Sequence, residues 1–338
     1  MRISLIKGFI WVLFSFYIAS NACAITLKIA TISPEGSMWM EKMRQGAKKI
    51  AKKTDNRIRF KFYPGGVMGS DKDVFRKMRI NQLQGGTFPG GTLSKFFPGC
   101  CIYTQLMKFN SIKEVDYVRQ YMDKYIIDGL EKAGLVTFGL ASGGFAYIMS
   151  TSPIESVKDL HKQKLWIPDD DPASKGAVDV FGITPIPLSL VNVKPSMQAG
   201  VINTIATSPV GAIILQWHTQ VKYLTDMPFI YLYAALAINK KIFFKIPKMD
   251  REIIRNEMTK VFHEIGIQND LDNAKALETL KNQGIKFILP SKNSLKEWHL
   301  KAEAASAALI KSGILTKDIT DTLDRYLADY HSKNKKTN

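Results

Sequence analysis

Apolar and polar residues alternate from Thr26 to Thr31, which predicts a strand. Trp39, Met43, Ala47 and Ile50 then recur every three or four residues and predict a helix beyond the turn Ser33-Pro34-Glu35-Gly36-Ser37. Ile58 to Tyr63 returns to period two, and Pro64-Gly65-Gly66 turns the chain. Asp71 is placed to cap a helix carrying Val74, Phe75, Met78 and Leu83 on one face. A helix is expected from Ile112 to Ala133, and residues 134–150 read as one long strand system kinked at Gly143-Gly144. Beyond Pro153 the alternation restarts, with strands near Lys164–Ile167, Ile186, Val201–Ala206 and Phe229–Ile238, and a helix after Ser208-Pro209 that carries Gln216, Trp217 and His218. From Pro247 to Gln283 a helical pattern continues with a break expected near Gly266, and two shorter helices finish the chain. Two successive α/β alternations without an internal repeat imply two lobes joined by several crossing strands.

The first 24 residues change this picture by giving the chain a destination. Arg2 and Lys7 precede an apolar run from Phe9 to Ala19, followed by Ala22-Cys23-Ala24, the pattern of a secretory signal with cleavage after Ala24. The run is shorter than the roughly 20 residues a spanning helix needs. Cys23 raises lipid anchoring as an alternative, against which Ser20-Asn21-Ala22 lacks the expected leucine. Of 338 residues 46% are hydrophobic, so disorder is not expected. The net charge of +17 falls to +15 on cleavage, since two basic residues and no acid leave. Its lysines lie among acids on helical segments, as in Glu41 to Lys53, and the only dense basic run is the tail 331–338. That pattern is a solvated surface, and nucleic acid is not an expected partner.

Candidate chemistry is sparse. Cys100 and Cys101 are adjacent, fit no disulfide framework or zinc spacing, and read as small apolar filler at a strand start. Gly85 to Gly91 forms a glycine-rich loop whose spacing matches neither a P-loop nor a dinucleotide fingerprint. Asp169, Asp170 and Asp171 form an acidic loop, either solvated and capping the next helix or collecting a hard cation. There is no G-x-S-x-G elbow and no H-E-x-x-H helix, which leaves an enzyme without a recognisable nucleophile or metal motif.

Four stretches in order, LKIATISPEGSMW, RFKFYPGGVMGSDKDVFRKMR, GLASGGFAYIMS with PIESVKDLHKQKLWIP, and AGVINTIATSPVGAIILQWHTQVKYLTD, resemble the DctP-type periplasmic solute-binding proteins of TRAP transporters. The resemblance runs from Leu27 to about Tyr330. It implies an α/β fold of the two-lobed periplasmic-binding-protein kind (type II-like), with a central ligand cleft and a long helix spanning both lobes. One lobe would comprise 25–146 with about 229–265, and the other 147–228 with about 266–330. It further implies a monomeric periplasmic receptor, not an enzyme, that captures a small organic solute and delivers it to the large and small subunits of a TRAP membrane permease. A ligand-sensing receptor for a signalling protein, or a periplasmic enzyme, are the alternatives.

On the family's cleft walls the resemblance places Glu35, Ser37, Trp39, Thr87, Phe88, Phe145, Tyr147, Trp166, Ser208 and Trp217, with Thr207, Pro209 and His218 nearby. In most relatives an arginine stands where this chain has Trp166, so the expected ligand is an organic acid or an apolar or aromatic acid whose head group is in question. The ligand would be stacked on Trp166, held elsewhere by backbone N–H groups or a lysine, or bridged by a cation at Asp169 to Asp171. No other cofactor is expected. Lys108, in a stretch that is apolar in relatives, is a further candidate to line the cleft.

Overall fold

The computed structural model describes residues 24–169 and 171–335. Residues 1–23, on which the expected secretory signal falls, the acidic-loop residue Asp170 and residues 336–338 lie outside the described residues. The first lobe is built on β1 (Ile25–Ala30), α1 (Met38–Lys53), β2 (Ile58–Tyr63), α2 (Asp71–Arg79), β3 (Gly85–Pro89) and α3 (Ile112–Lys132). Two strands follow, β4 (Leu135–Thr137) and β5 (Ala141–Ser150). The second lobe adds β6 (Trp166–Pro168), α4 (Pro172–Val180), β7 (Ile186–Leu188), β8 (Thr204–Thr207) and β9 (Tyr223–Thr225). The chain returns along β10 (Ile230–Asn239) into α5 (Lys248–Asn282), β11 (Lys286–Ile288), α6 (Lys292–Lys311) and α7 (Lys317–Lys335).

One sheet runs β11-β9-β5-β10-β3-β1-β2, with β4 on β10 and β8 on β5. The two ten-residue strands β5 and β10 are the connection between lobes: β10 pairs with β5 along its first half, Ile230–Ala234, and with β3 along its second, Ala234–Ile238. Their antiparallel register shifts between Leu232 and Tyr233, opposite Gly143-Gly144, where Gly144 has φ +77°. That conformation favours glycine, and the bulge bends the crossing strands at the lobe junction. Asn269 and Asn273 of α5 hold the bend by donating to the carbonyls of Ser142 (3.0 Å) and Gly143 (3.1 Å).

Several sequence expectations are corrected here. The helix from Lys248 to Asn282 is unbroken over 35 residues, and Gly266 is not a breaker. A Cβ there would stand 3.1 Å from the main-chain nitrogen of Ser142, so the glycine lets α5 lie close on β5. A valine at 266 is expected to cost about 1–3 kcal/mol by overpacking against main chain, measurable as a lower urea midpoint. The glycine-rich segment is mainly a strand, β3, in which Gly85 accommodates the Ala237 carbonyl and leaves no space for a side chain. The long strand system breaks at Phe138-Gly139-Leu140 into β4 and β5. The helix after Ser208 ends at Ile214; Gln216 has left-handed backbone and Trp217 opens a separate 3-10 turn.

Residues 266–330 do not all lie with the second lobe. α6 packs on α4 there, whereas Leu323 and Leu327 of α7 join Val115, Val118 and Leu130 of α3 in the first lobe's core. Around that contact His331 meets Glu114 at 2.9 Å and Tyr117 bonds Asp329. The helix continues through Lys335, so the expected tail 331–338 is helical as far as it is described. Cys100 and Cys101 sit in a 3-10 turn, not at a strand start, and burial pushes both thiols up to about 12, which leaves them as protonated filler. Among the described residues, no helix is long and apolar enough to cross a membrane.

Candidate functional site

A cavity of about 340 Å³ lies between the lobes. The first lobe contributes the end of β1, Trp39 of α1, the start of α2 and residues 87–92. The second contributes β6, the start of α4, the turn after β8, and Trp217. Its floor is the pair of crossing strands with Asn269, and α6 closes one side with Ala305 and Leu309. The site therefore sits where strand C-termini open into a crevice, the ordinary place for ligands in α/β sheets.

Local sequence explains why these groups stay in place. Trp166 is 5% exposed and donates its indole N–H to the Leu188 carbonyl at 2.9 Å, because parallel β6 and β7 set that carbonyl beside it. Its ring meets Trp217 edge-on, with centroids 5.4 Å apart. Phe88 stacks on Phe75 at 4.2 Å and presents its remaining surface to the cavity. Thr87 donates to the Thr31 hydroxyl at 2.6 Å, and Ser208 caps the helix Pro209–Ile214 by accepting from the Gly211 N–H. Trp39 Nε1 reaches Asn269 Oδ1 at 3.5 Å, a long contact.

Of the ten candidate ligand residues, Trp39, Thr87, Phe88, Trp166, Ser208 and Trp217 line this cavity, with Thr207. The other four are placed elsewhere. Glu35 faces solvent and is held by Arg44 through two bonds of 2.8 and 2.5 Å, which lower its pKa. Ser37 caps α1 through the Met40 N–H. Phe145 packs edge-on against Tyr231 in the first lobe's core, and Tyr147, paired with Thr207 in the sheet, is off the wall. His218 binds the Ala212 carbonyl through Nδ1 and is not on the wall. Lys108 pairs with Asp324 of α7, away from the cleft.

Sequence reasoning missed Gln105, Tyr233 and Asn269 on the wall. Gln105 lies three residues from Lys108 in the stretch whose departure from relatives was visible. Asn269 and Asn273, polar residues four apart on the inward face of a long helix, were the available signal for the floor.

The acidic loop reaches the same cavity. Asp169 pairs with Lys72 of the first lobe at 3.4 Å. Asp171 caps α4: its Oδ1 accepts from the Ala173 and Ser174 N–H groups, and its Oδ2 accepts from the Ser174 hydroxyl at 2.6 Å. Burial raises the pKa of this carboxyl, partly offset by those bonds and by Lys95 nearby. Across the cleft, a Cβ on Gly91 would fall 2.1 Å from Asp171 Oδ2. The lobes thus meet through a carboxylate that only glycine admits. Among the described residues, no group of three or more His, Cys, Asp or Glu side chains is arranged to hold a metal.

This geometry agrees with the family comparison. The DctP family profile, described as bacterial extracellular solute-binding protein, family 7, matches residues 29–312. The chain belongs to the DctP family. A curated solute-binding protein from Verminephrobacter eiseniae is 21% identical over 276 residues, covering 80% of this chain and 81% of its own. Solved structures similar to this DctP protein include a TRAP periplasmic solute-binding protein from Desulfovibrio salexigens with bound orotic acid. It has a TM-score of 0.81 at 16% identity, covering 90% of this chain and 99% of that one. One from Xanthobacter autotrophicus Py2 with bound β-D-galacturonate also has a TM-score of 0.81 at 16% identity, covering 89% and 99%. The two-lobed α/β fold of the DctP protein is the fold of these receptors.

Proposed function

We propose that this DctP protein is an exported receptor that captures a small organic solute between its lobes and presents it, chemically unchanged, to a TRAP membrane permease. The observation that carries this reading is a largely apolar cavity whose walls come from both lobes and whose floor is a bent pair of crossing strands. A solute touching both walls stabilises the closed form by its differential contacts, and closure in turn creates the surface a permease reads. The family, its periplasmic relatives and the secretory pattern of the first 24 residues support export and delivery. The relatives with bound orotic acid and galacturonate support an organic molecule of modest size. They also favour the organic acid expected from sequence, although this cavity's described lining offers no cationic side chain to hold one.

The test is a thermal-shift screen of the exported chain against a broad metabolite library, with mass spectrometry of any compound released on denaturation. A true ligand at 100 times its Kd is expected to add about 2.7 kcal/mol of stability and raise Tm by several degrees. No stabilisation across the library and no released compound would sink the reading.

A further inference from the structure

The donors on the cavity wall fall into two groups. Those of Trp166, Thr87, Thr92, Tyr233 and Ser174 are engaged within the protein. The backbone N–H groups of Val210 and Gly211 are taken by the Asn273 side-chain oxygen and the Ser208 hydroxyl. Trp217 and Thr207 behave differently: they are 2% and 7% exposed, they line the cavity, and the indole N–H and the Thr207 hydroxyl meet no protein acceptor. Among the described residues, the buried side-chain polar atoms that lack both a partner and accessible surface are Gln105 Oε1 and Thr137 Oγ1. Trp217 Nε1 and Thr207 Oγ1 therefore keep open surface, and the open space their residues border is the cavity. The Ser208 hydroxyl accepts from the Gly211 N–H and keeps its own proton to donate.

These three donors share one corner of the second lobe. A Cβ on Gly211 would stand 3.0 Å from both Thr207 Oγ1 and Ser208 Oγ, so the two hydroxyls flank a single glycine of the wall. His218 Nδ1 meets the Ala212 carbonyl at 3.0 Å, which folds the turn carrying Trp217 back on the same helix, and Trp217 joins Ala212 in one apolar cluster. Buried donors without acceptors are costly, so the corner calls for a group rich in acceptors and free of donors. An ionised carboxylate is such a group, with two oxygens and about four lone-pair directions. Neutral donors suffice to hold it ionised, since a carboxylate accepting two or three such bonds has a lowered pKa. No lysine, arginine or histidine stands among the described lining residues, and the resident acids are answered locally, Asp169 by Lys72, Asp71 by the Thr92 hydroxyl and Asp171 by Ala173 and Ser174. Much of the remaining wall is hydrocarbon, including Phe88, Leu106, Ile148, Leu165 and Trp166, which suits a ligand body without hydroxyl groups.

Building on the receptor reading above, we infer that the solute is a carboxylic acid with an apolar or aromatic body, and that its carboxylate is held without a cation, by the Trp217 indole N–H and the Thr207 and Ser208 hydroxyls. Each of these bonds is charge-assisted on the acceptor side, which makes it stronger than the same donor's bond to an alcohol. The body lies against Trp166 and Phe88.

The test is calorimetry and thermal shift on the exported chain with phenylacetate, cyclohexylacetate and hexanoate, each beside the alcohol and the amine of the same body, and with galacturonate; an acid found in the library screen enters the same comparison. On whichever body fits, the carboxylate is expected to bind at least about tenfold more tightly than its alcohol, its amine and galacturonate, a difference of about 1.4 kcal/mol. Thr207→Val and Trp217→Phe, which keep shape and aromaticity while removing the donor, are each expected to shrink the carboxylate-to-alcohol margin about fivefold or more. Lys72→Gln and Lys95→Gln change exposed lysines near Asp169 and Asp171 and are expected to leave the affinity within about twofold. A carboxylate no tighter than its alcohol, a margin unchanged in both donor variants, a tenfold loss in either lysine variant, or tighter binding of galacturonate overturns the inference and leaves the receptor reading standing. So does a library ligand that is not an acid. If nothing binds in either screen, both readings fall together.

Discussion

Replacing Gly91 with alanine is expected to weaken solute binding by about ten- to a hundredfold while leaving the unliganded chain close to its normal stability. The argument is geometric. The alanine methyl would stand 2.1 Å from Asp171 Oδ2 and 2.6 Å from its Cγ, far inside contact distance, and those atoms belong to the opposite lobe. Gly91 does not have positive φ, so alanine itself is not strained there. The clash therefore acts on closure and not on the fold of either lobe, and an overpacking cost of about 1–3 kcal/mol is charged to the closed state alone. Calorimetry reads the affinity and small-angle scattering reads compaction on adding ligand. Shortening the opposing side chain, as in Gly91→Ala with Asp171→Ser, is expected to restore compaction because serine still caps α4. Restored compaction separates a steric block from loss of a ligand contact. Unchanged affinity and compaction in the single variant would mean that Gly91 and Asp171 do not meet when the receptor closes.

The second large effect is expected at Trp166. Trp166→Ala removes a buried ring that packs on Trp217 and one of the two donors to the Leu188 carbonyl, leaving only the Asp169 N–H at 3.2 Å. A loss of about 3–5 kcal/mol in stability follows from the cavity and the ring together. Ligand affinity falls by a further 1–3 kcal/mol, roughly, if the ring is also part of the binding wall. Trp166→Phe separates the two roles, since it retains an aromatic face while losing the N–H. Its stability is expected to drop by about 1 kcal/mol or more for the lost bond, with affinity changed less than in the alanine variant. Normal affinity in a folded Trp166→Ala protein, measured by calorimetry, would make this residue core packing only.

Much of this fold could be read from periodicity, and the limits of that reading have physical causes. Strands and helices with one buried face, such as β1, α1, β2 and α2, repeat their apolar residues at the expected period. Gly85 and Gly266 misled because a glycine that permits close approach of a neighbouring backbone looks, in sequence, like one that permits a turn. The placement of α7 against α3 is a non-local packing choice, and no local pattern states which lobe an amphipathic C-terminal helix covers.

The site was legible in part for a related reason. Trp39, Phe88, Trp166 and Trp217 were large residues at turns and strand ends, where a crevice forms. Glu35 and Ser37 also lie at such a turn, but their chemistry is satisfied locally by Arg44 and by the N-terminus of α1. The engagement of the wall's donors depends on partners as distant in sequence as Thr31 and Thr87 or Val210 and Asn273, which spacing alone does not reveal.

The measurement that tests the central claim most directly is a crystal structure of the exported chain carrying the compound it retains through purification. The account predicts closed lobes, Gly91 against Asp171, and ligand density in the interlobe cavity between Trp166, Trp217 and Phe88. Density for the ligand outside that cavity, or lobes that close over it with these three rings packed solely on protein, would contradict the account.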